Sequence, residues 1–213
     1  MAEIKEMPKI ALGAWAWGND GTFGGNLTPE TLRPIFDTAM KEGLNLWDTA
    51  YVYGMGTSEK VLGDFLASVP RDSYLISDKF TPQRADPTAE NAVTALYEKS
   101  AELLGTDYMD FYWIHNPMDA PKWVTELIPL AKSGKIGKIG LSNHSLAEIK
   151  EAADILAKEG LKISAIQNHY SLLNRSSETS GILDYCKEND IIFFSYMVLE
   201  QGALTGKYDT EHP

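Results

Sequence analysis

Short apolar runs alternate along this chain with segments whose apolar residues recur every three or four positions. The runs KIALGAW (9–15), LNLWD (44–48), SYLISDKF (73–80), DYMDFYWI (107–114), KIGLSN (138–143), KISAIQN (162–168) and IIFFSYM (191–197) have the length and composition of strands. Thr28 followed by Pro29 opens a helix, as an N-cap with proline at the first helical position. Leu32, Ile35, Phe36, Ala39 and Met40 then share one face, and Gly43 is its stop. Asp86-Pro87 predicts another helix, burying Val93, Leu96, Leu103 and Leu104. Ser145 and Glu148 form a capping box for a third, which carries Ile149, Ala152, Ala153 and Leu156 on to Gly160. Strand–helix alternation with apolar strands predicts a parallel sheet covered by helices.

An open doubly wound sheet and a closed barrel both satisfy that alternation. The open sheet's fingerprint, G-x-G-x-x-G after the first strand, is absent: Gly13 is followed by Ala14, Trp15, Ala16, Trp17 and Gly18. The polar residues favour the barrel. Asp48, Lys79, His115, Asn143, Asn168 and Tyr196 each sit at or just past the end of a strand, at separations of 31, 36, 28, 25 and 28 residues. A barrel gathers such ends at one mouth, where active sites are built. The expected fold is therefore an α/β, (β/α)8 TIM barrel with about seven β/α units in this chain. It is read as one domain over 1–213, incomplete at the C-terminal end and part of a longer polypeptide, because seven strands leave two edges.

Composition narrows the function classes. The chain has 213 residues, 44% hydrophobic and 23% charged, as in an ordinary globular protein. A formal net charge of −11 argues against nucleic acid or an anionic membrane as main partner. A single cysteine, Cys186, permits no internal disulfide. The opening MAEIKEMPK lacks the apolar run of a signal peptide, and no stretch reaches membrane-span length. A cytoplasmic protein acting on a small molecule is expected.

Candidate chemistry gathers at the strand ends. Tyr53 follows Asp48 by five residues, in a loop. A phenol, with an ordinary pKa of about 10, protonates a nascent alkoxide usefully if a nearby ammonium lowers that value. Lys79 is placed to supply the ammonium, Asp48 to hold it, and His115 to polarise a substrate carbonyl. Each alone has a plainer explanation, as salt bridge, packed histidine or surface tyrosine; convergence at one mouth favours chemistry. Trp15, Trp17, Tyr51 and Trp113 are expected to line an aromatic pocket there, with core packing as the equal alternative. His144 and His169 lack a second ligand at metal spacing, so no metal is expected; they are read as solvated or supporting histidines.

The motifs DTAYVYG, SDKF, WIHNP, GLSNHS, IQNHYSLLNR and YMVLEQGALTGKY, in this order, resemble those of the aldo-keto reductases over essentially the whole chain. The resemblance implies a catalytic tetrad of Asp48, Tyr53, Lys79 and His115, with Tyr53 as general acid. It implies that Ser142, Asn143 and Gln167 hold a nicotinamide carboxamide and that Tyr196 stacks on the ring. It further implies that the segment with Leu199, Gly202 and Leu204 runs beside the pyrophosphate, with Gly13 and Trp15 also on the cofactor side. Amide side chains suit a carboxamide because each both donates and accepts. Glu200 is a departure, an acid where a pyrophosphate is expected, and its side chain should point away. The implied activity is hydride transfer from the reduced nicotinamide cofactor, NAD(P)H, to an aldehyde or ketone, with NADP as the cofactor and NAD possible. The alternatives are a cofactor-binding regulatory subunit, like the channel β subunits that share this fold, or an inactive fragment.

Overall fold

The structure, a computed structural model, describes residues 7–23, 27–209 and 211; most of the MAEIKEMPK segment lies outside them. Seven strands join one sheet in sequence order: β1 (Leu12–Gly13), β2 (Leu46–Asp48), β3 (Leu75–Phe80), β4 (Met109–Ile114), β5 (Ile136–Ser142), β6 (Ile163–His169) and β7 (Ile192–Tyr196). Every neighbouring pair is parallel. An order that never reverses leaves no switch point, which separates this sheet from the doubly wound alternative. Helices α1 (Pro29–Lys41), α2 (Thr57–Leu66), α3 (Ala92–Leu104), α4 (Ala120–Lys132), α5 (Leu146–Ala157), α6 (Ser176–Thr179) and α7 (Ile182–Glu188) fill the connections. Among the described residues, no helix is long and apolar enough to cross a membrane.

Two of the three sequence-predicted helix starts hold. The Thr28 hydroxyl accepts from the backbone N–H of Thr31 ahead of Pro29, and Ser145 and Glu148 form the expected capping box. The third start shifts. Asp86 Oδ1 accepts from both the N–H and the hydroxyl of Thr88 and closes a local turn. The helix begins only at Ala92, where Asn91 caps the Thr94 N–H at 2.8 Å. The first strand is also shorter than expected. The chain leaves the sheet after Gly13 because Trp15–Gly18 coils into a 3₁₀ turn, burying Trp17 against Trp47 and Phe65.

The pleat sorts the strand residues onto two faces. Trp47, Ile76, Tyr112, Ile114, Ile139, Leu141 and Ile166 face the helices and join the larger core. Leu46, Leu75, Phe111, Trp113 and Ala165 face inward, with Phe194 packed on them. Ring centroids of Phe111 and Trp113 lie 5.3 and 5.2 Å from that of Phe194. These belong to β4 and β7, three strand spacings apart, about 14 Å in a flat sheet. The contact requires the sheet to curl around an interior, as a barrel does. Gly140 makes room for it: opposite Trp113 in register, a Cβ there would lie 2.1 Å from the indole.

Candidate active site

The inward parity that builds the interior also aims the polar side chains at the strands' C-terminal ends. On β3, Ser77 and Lys79 follow Leu75 at steps of two, and on β2 Asp48 follows Leu46. The Lys79 ammonium, almost fully buried, donates to Asp48 Oδ1 and, at 2.7 Å, to the carbonyl of Thr49. Asp48 Oδ2 accepts from Ser77 Oγ at 2.7 Å and from Gln167 Nε2 at 3.1 Å. Ser77 Oγ in turn accepts from the Trp113 indole N–H at 2.7 Å. A buried charge pair is stable only when its remaining lone pairs are satisfied, and here they are.

Tyr53 reaches this pair from the loop after β2. Lys79 Nζ sits 5.1 Å from the centre of its ring. Trp15 stacks on the ring at 5.5 Å and 16°, and the His115 ring stands edge-on at 5.9 Å and 82°. The loop is held against the first turn by two glycines. Gly54, at φ +65°, lies so close to Gly18 that a Cβ would fall 2.0 Å from the Gly18 carbonyl oxygen. The structure thus brings Asp48, Tyr53, Lys79 and His115 together.

Burial dominates the electrostatics. It pushes the Tyr53 phenol above its ordinary value; the Lys79 ammonium pulls the other way, as the sequence led us to expect, but less strongly. The expected net lowering is therefore not found. Burial also works to lower Lys79, yet the negative groups around it, Asp48 first and then Tyr53 and Asp78, together more than reverse it, and the ammonium stays charged. His115 is driven down to about 3 by burial and then by Lys79, so it is neutral at ordinary pH. Its Nδ1 lies 2.8 Å from Thr81 Oγ1, and its backbone carbonyl accepts from Asn143 Nδ2 at 3.0 Å.

Of the residues expected at the cofactor, Ser142, Asn143, Gln167 and Tyr196 are linked to one another and to His115 or Asp48. Ser142 and Gln167 are register partners on β5 and β6, both buried. Asn143, at φ +64°, donates to Ser142 Oγ at 3.1 Å and accepts from the Tyr196 hydroxyl at 2.5 Å. Tyr196 also stacks on His169 at 5.6 Å. Leu199 is exposed, and Gly202 and Leu204 are half-buried in a 3₁₀ segment, Glu200–Thr205, broken at Gln201 and Gly202. Gly13 ends β1, with open space where a Cβ would be.

Where the sequence left alternatives, the structure chooses between them. Of the four aromatics expected at the mouth, only Trp15 lies beside Tyr53. Trp17 and Tyr51 are packed in the outer core and Trp113 in the interior. Of the two readings of His144, solvated or supporting, its burial agrees with the second: its Nδ1 lies 2.7 Å from the Ser142 carbonyl. Glu200 turns onto His169 Nε2 at 2.8 Å and onto the Ser171 hydroxyl. Ser77, Thr49 and Thr81 were missed by sequence reasoning. Ser77 and Thr81 share the parity of Lys79, two residues to either side, and that period was the available signal.

The model of the aldo/keto reductase family matches residues 9–213. An aldo-keto reductase of Gibberella moniliformis is 34% identical, covering 98% of this chain and 64% of that protein. The NADH-specific methylglyoxal reductase of Escherichia coli is 29% identical, covering 94% and 66%. The chain therefore spans less than two thirds of the length of these curated relatives. An aldo/keto reductase from Klebsiella pneumoniae, solved with NADP and acetate, shares the fold at a TM-score of 0.78 and 24% identity, covering 97% of this chain and 70% of that one. The singly wound parallel sheet, the strand-end constellation and the family match over 205 consecutive positions from residue 9 to residue 213 lead to one assignment: this chain belongs to the aldo/keto reductase family.

Proposed function

We propose that the protein reduces the carbonyl of an aldehyde or ketone, with Tyr53 as proton donor and a nicotinamide dinucleotide as hydride source. The observation that carries this reading is the convergence of Tyr53, the buried Lys79–Asp48 pair and neutral His115 on one mouth. The Tyr53 phenol, raised by burial, holds its proton at neutral pH and has it ready to give. Once the proton has gone to the substrate oxygen, Lys79 lies beside the phenolate and offsets its charge. Asp48 keeps Lys79 charged and in place. His115, being neutral, has one N–H to offer the same oxygen without adding a positive charge.

The cofactor fits the open hydrogen-bonding positions. Asn143 spends both ends of its amide inside the protein, but Ser142 Oγ keeps its own proton and Gln167 Oε1 keeps its lone pairs. One donor and one acceptor, side by side across β5 and β6, match the two ends of a carboxamide. The group, when bound, supplies the hydride; the chain orients it and supplies the proton. NADP is the proposed form and NAD is possible: the Klebsiella protein was solved with NADP, and the Escherichia coli relative is described as NADH-specific.

Replacing Tyr53 by Phe tests the assignment. It removes the transferable proton and keeps the ring that packs against Trp15 and Lys79. Turnover of aldehydes, followed by nicotinamide absorbance, is expected to fall by roughly two to four orders of magnitude. Cofactor affinity should hardly change. Near-normal turnover in Tyr53→Phe overturns the role.

A further inference from the structure

Thr81 lies two residues past Lys79 on the inward parity of β3, and its side chain is buried at 5% exposure. Three features fix its hydroxyl. The residue precedes Pro82, which confines its backbone to the extended region it adopts, φ −100° and ψ 111°. Its branched Cβ restricts χ1. The adjacent Phe80 carbonyl accepts from the His115 N–H at 2.9 Å, which locks β3 and β4 in register at this point. In this setting Thr81 Oγ1 has one hydrogen-bond partner, His115 Nδ1, at 2.8 Å.

A buried hydroxyl proton without an acceptor costs far more than an unused lone pair. Among the described residues, nothing except Nδ1 is in place to take the Thr81 proton. The hydroxyl therefore donates and Nδ1 accepts. A neutral imidazole carries one proton, so that proton is on Nε2. Nε2 has no protein partner among the described residues and belongs to the ring whose neighbour at the mouth is Tyr53. With the opposite tautomer, Nε2 would present a lone pair to the lone pairs of a substrate oxygen.

We infer that Thr81 is a positioning residue that sets the tautomer of His115, so that Nε2–H and the Tyr53 hydroxyl both donate to one substrate oxygen. The second half of this inference rests on the carbonyl-reductase reading above; the hold of Thr81 on His115 does not.

Two readouts separate these halves. The first is the imidazole nitrogen spectrum of the ¹⁵N-labelled protein, which contains four histidines. His115 is expected to show a protonated Nε2 and an unprotonated, hydrogen-bonded Nδ1. Thr81→Val should shift the Nδ1 signal towards that of a nitrogen without a hydrogen bond, and Thr81→Ser should restore it. The second readout is turnover. Thr81→Val should lower kcat by about tenfold, the worth of one hydrogen bond in the barrier, with cofactor KM unchanged and recovery in Thr81→Ser. A protonated Nδ1 in the unaltered protein, or unchanged turnover in Thr81→Val, overturns the inference. Nitrogen signals that follow Thr81 in a protein that turns over no carbonyl uphold its hold on His115 and overturn the reductase reading instead.

Discussion

At the scale of single residues, the fold spends its polar groups on holding one ammonium. Lys79 is tied to Asp48 and Thr49, and Asp48 to Ser77 and Gln167, so neither charge can relax without breaking several bonds. Lys79→Met should act in two ways. It leaves the buried Asp48 carboxylate without its partner, at a cost of about 3 kcal/mol or more in stability. It also removes the one strong influence that lowers the Tyr53 phenol. The sign follows directly: a phenol already above its ordinary value rises further. The alkaline fall in reduction, where the acid is lost, moves to higher pH. A pH–rate profile compared with that of the unaltered protein checks this. An unmoved alkaline limb would mean that the ammonium serves structure alone.

At the scale of elements, the inner face leaves little room for change. Gly140 faces Trp113, and a methyl group there meets the indole at 2.1 Å. Gly140→Ala is expected to lower stability by about 1–3 kcal/mol through overpacking, visible as a lower Tm. This scale also shows why some elements could be read from the sequence and others could not. α1 and α5 announce themselves, because Thr28 and Ser145 cap them with their own side chains. α2 and α4 have no such signal. Their N-caps, Gly56 at φ +95° and Asp119 at φ +54°, turn the chain by backbone conformation and make no side-chain cap bond. Asp86-Pro87 gave a false start because an aspartate before proline suits a turn as well as a helix. Asp48, Lys79 and His115 were legible because a polar side chain and a strand-end position coincide in each, and Tyr53 because it follows Asp48 by five residues in the adjoining loop. Thr81 was not, since a lone threonine carries no chemistry until its partner, 34 positions away, is known. The tryptophans were ambiguous in sequence because a strand end offers an indole both an interior and a rim.

At the scale of the whole molecule, one feature links stability to pH. Glu59 on α2 and Asp78 on the outer face of β3 are fully buried beside each other. Burial, then the charge of Asp78, raises Glu59 to about 9; burial raises Asp78 as well. In the fold Glu59 therefore holds its proton up to about pH 9 and Asp78 up to about pH 6, protons that both give up at lower pH once unfolded. Their contribution is fully present below the ordinary carboxylate range, near pH 4; that of Asp78 is lost as pH rises through about 6 and that of Glu59 as it rises towards 9. Urea midpoints should fall between about pH 5 and about pH 9. Glu59→Gln, which offers Asp78 a permanent N–H, should flatten that slope. A midpoint indifferent to pH in the unaltered protein would contradict the shared burial of these two acids.

Four of the five indoles, those of Trp17, Trp47, Trp113 and Trp123, are no more than 6% exposed, whereas Trp15 is 40% exposed and lies against Tyr53. A collisional quencher in water therefore meets one tryptophan, and that one stands at the mouth. The fold carries its own optical reporter: whatever settles beside Tyr53 shields Trp15 from the quencher, while the other four emit undisturbed and serve as an internal standard.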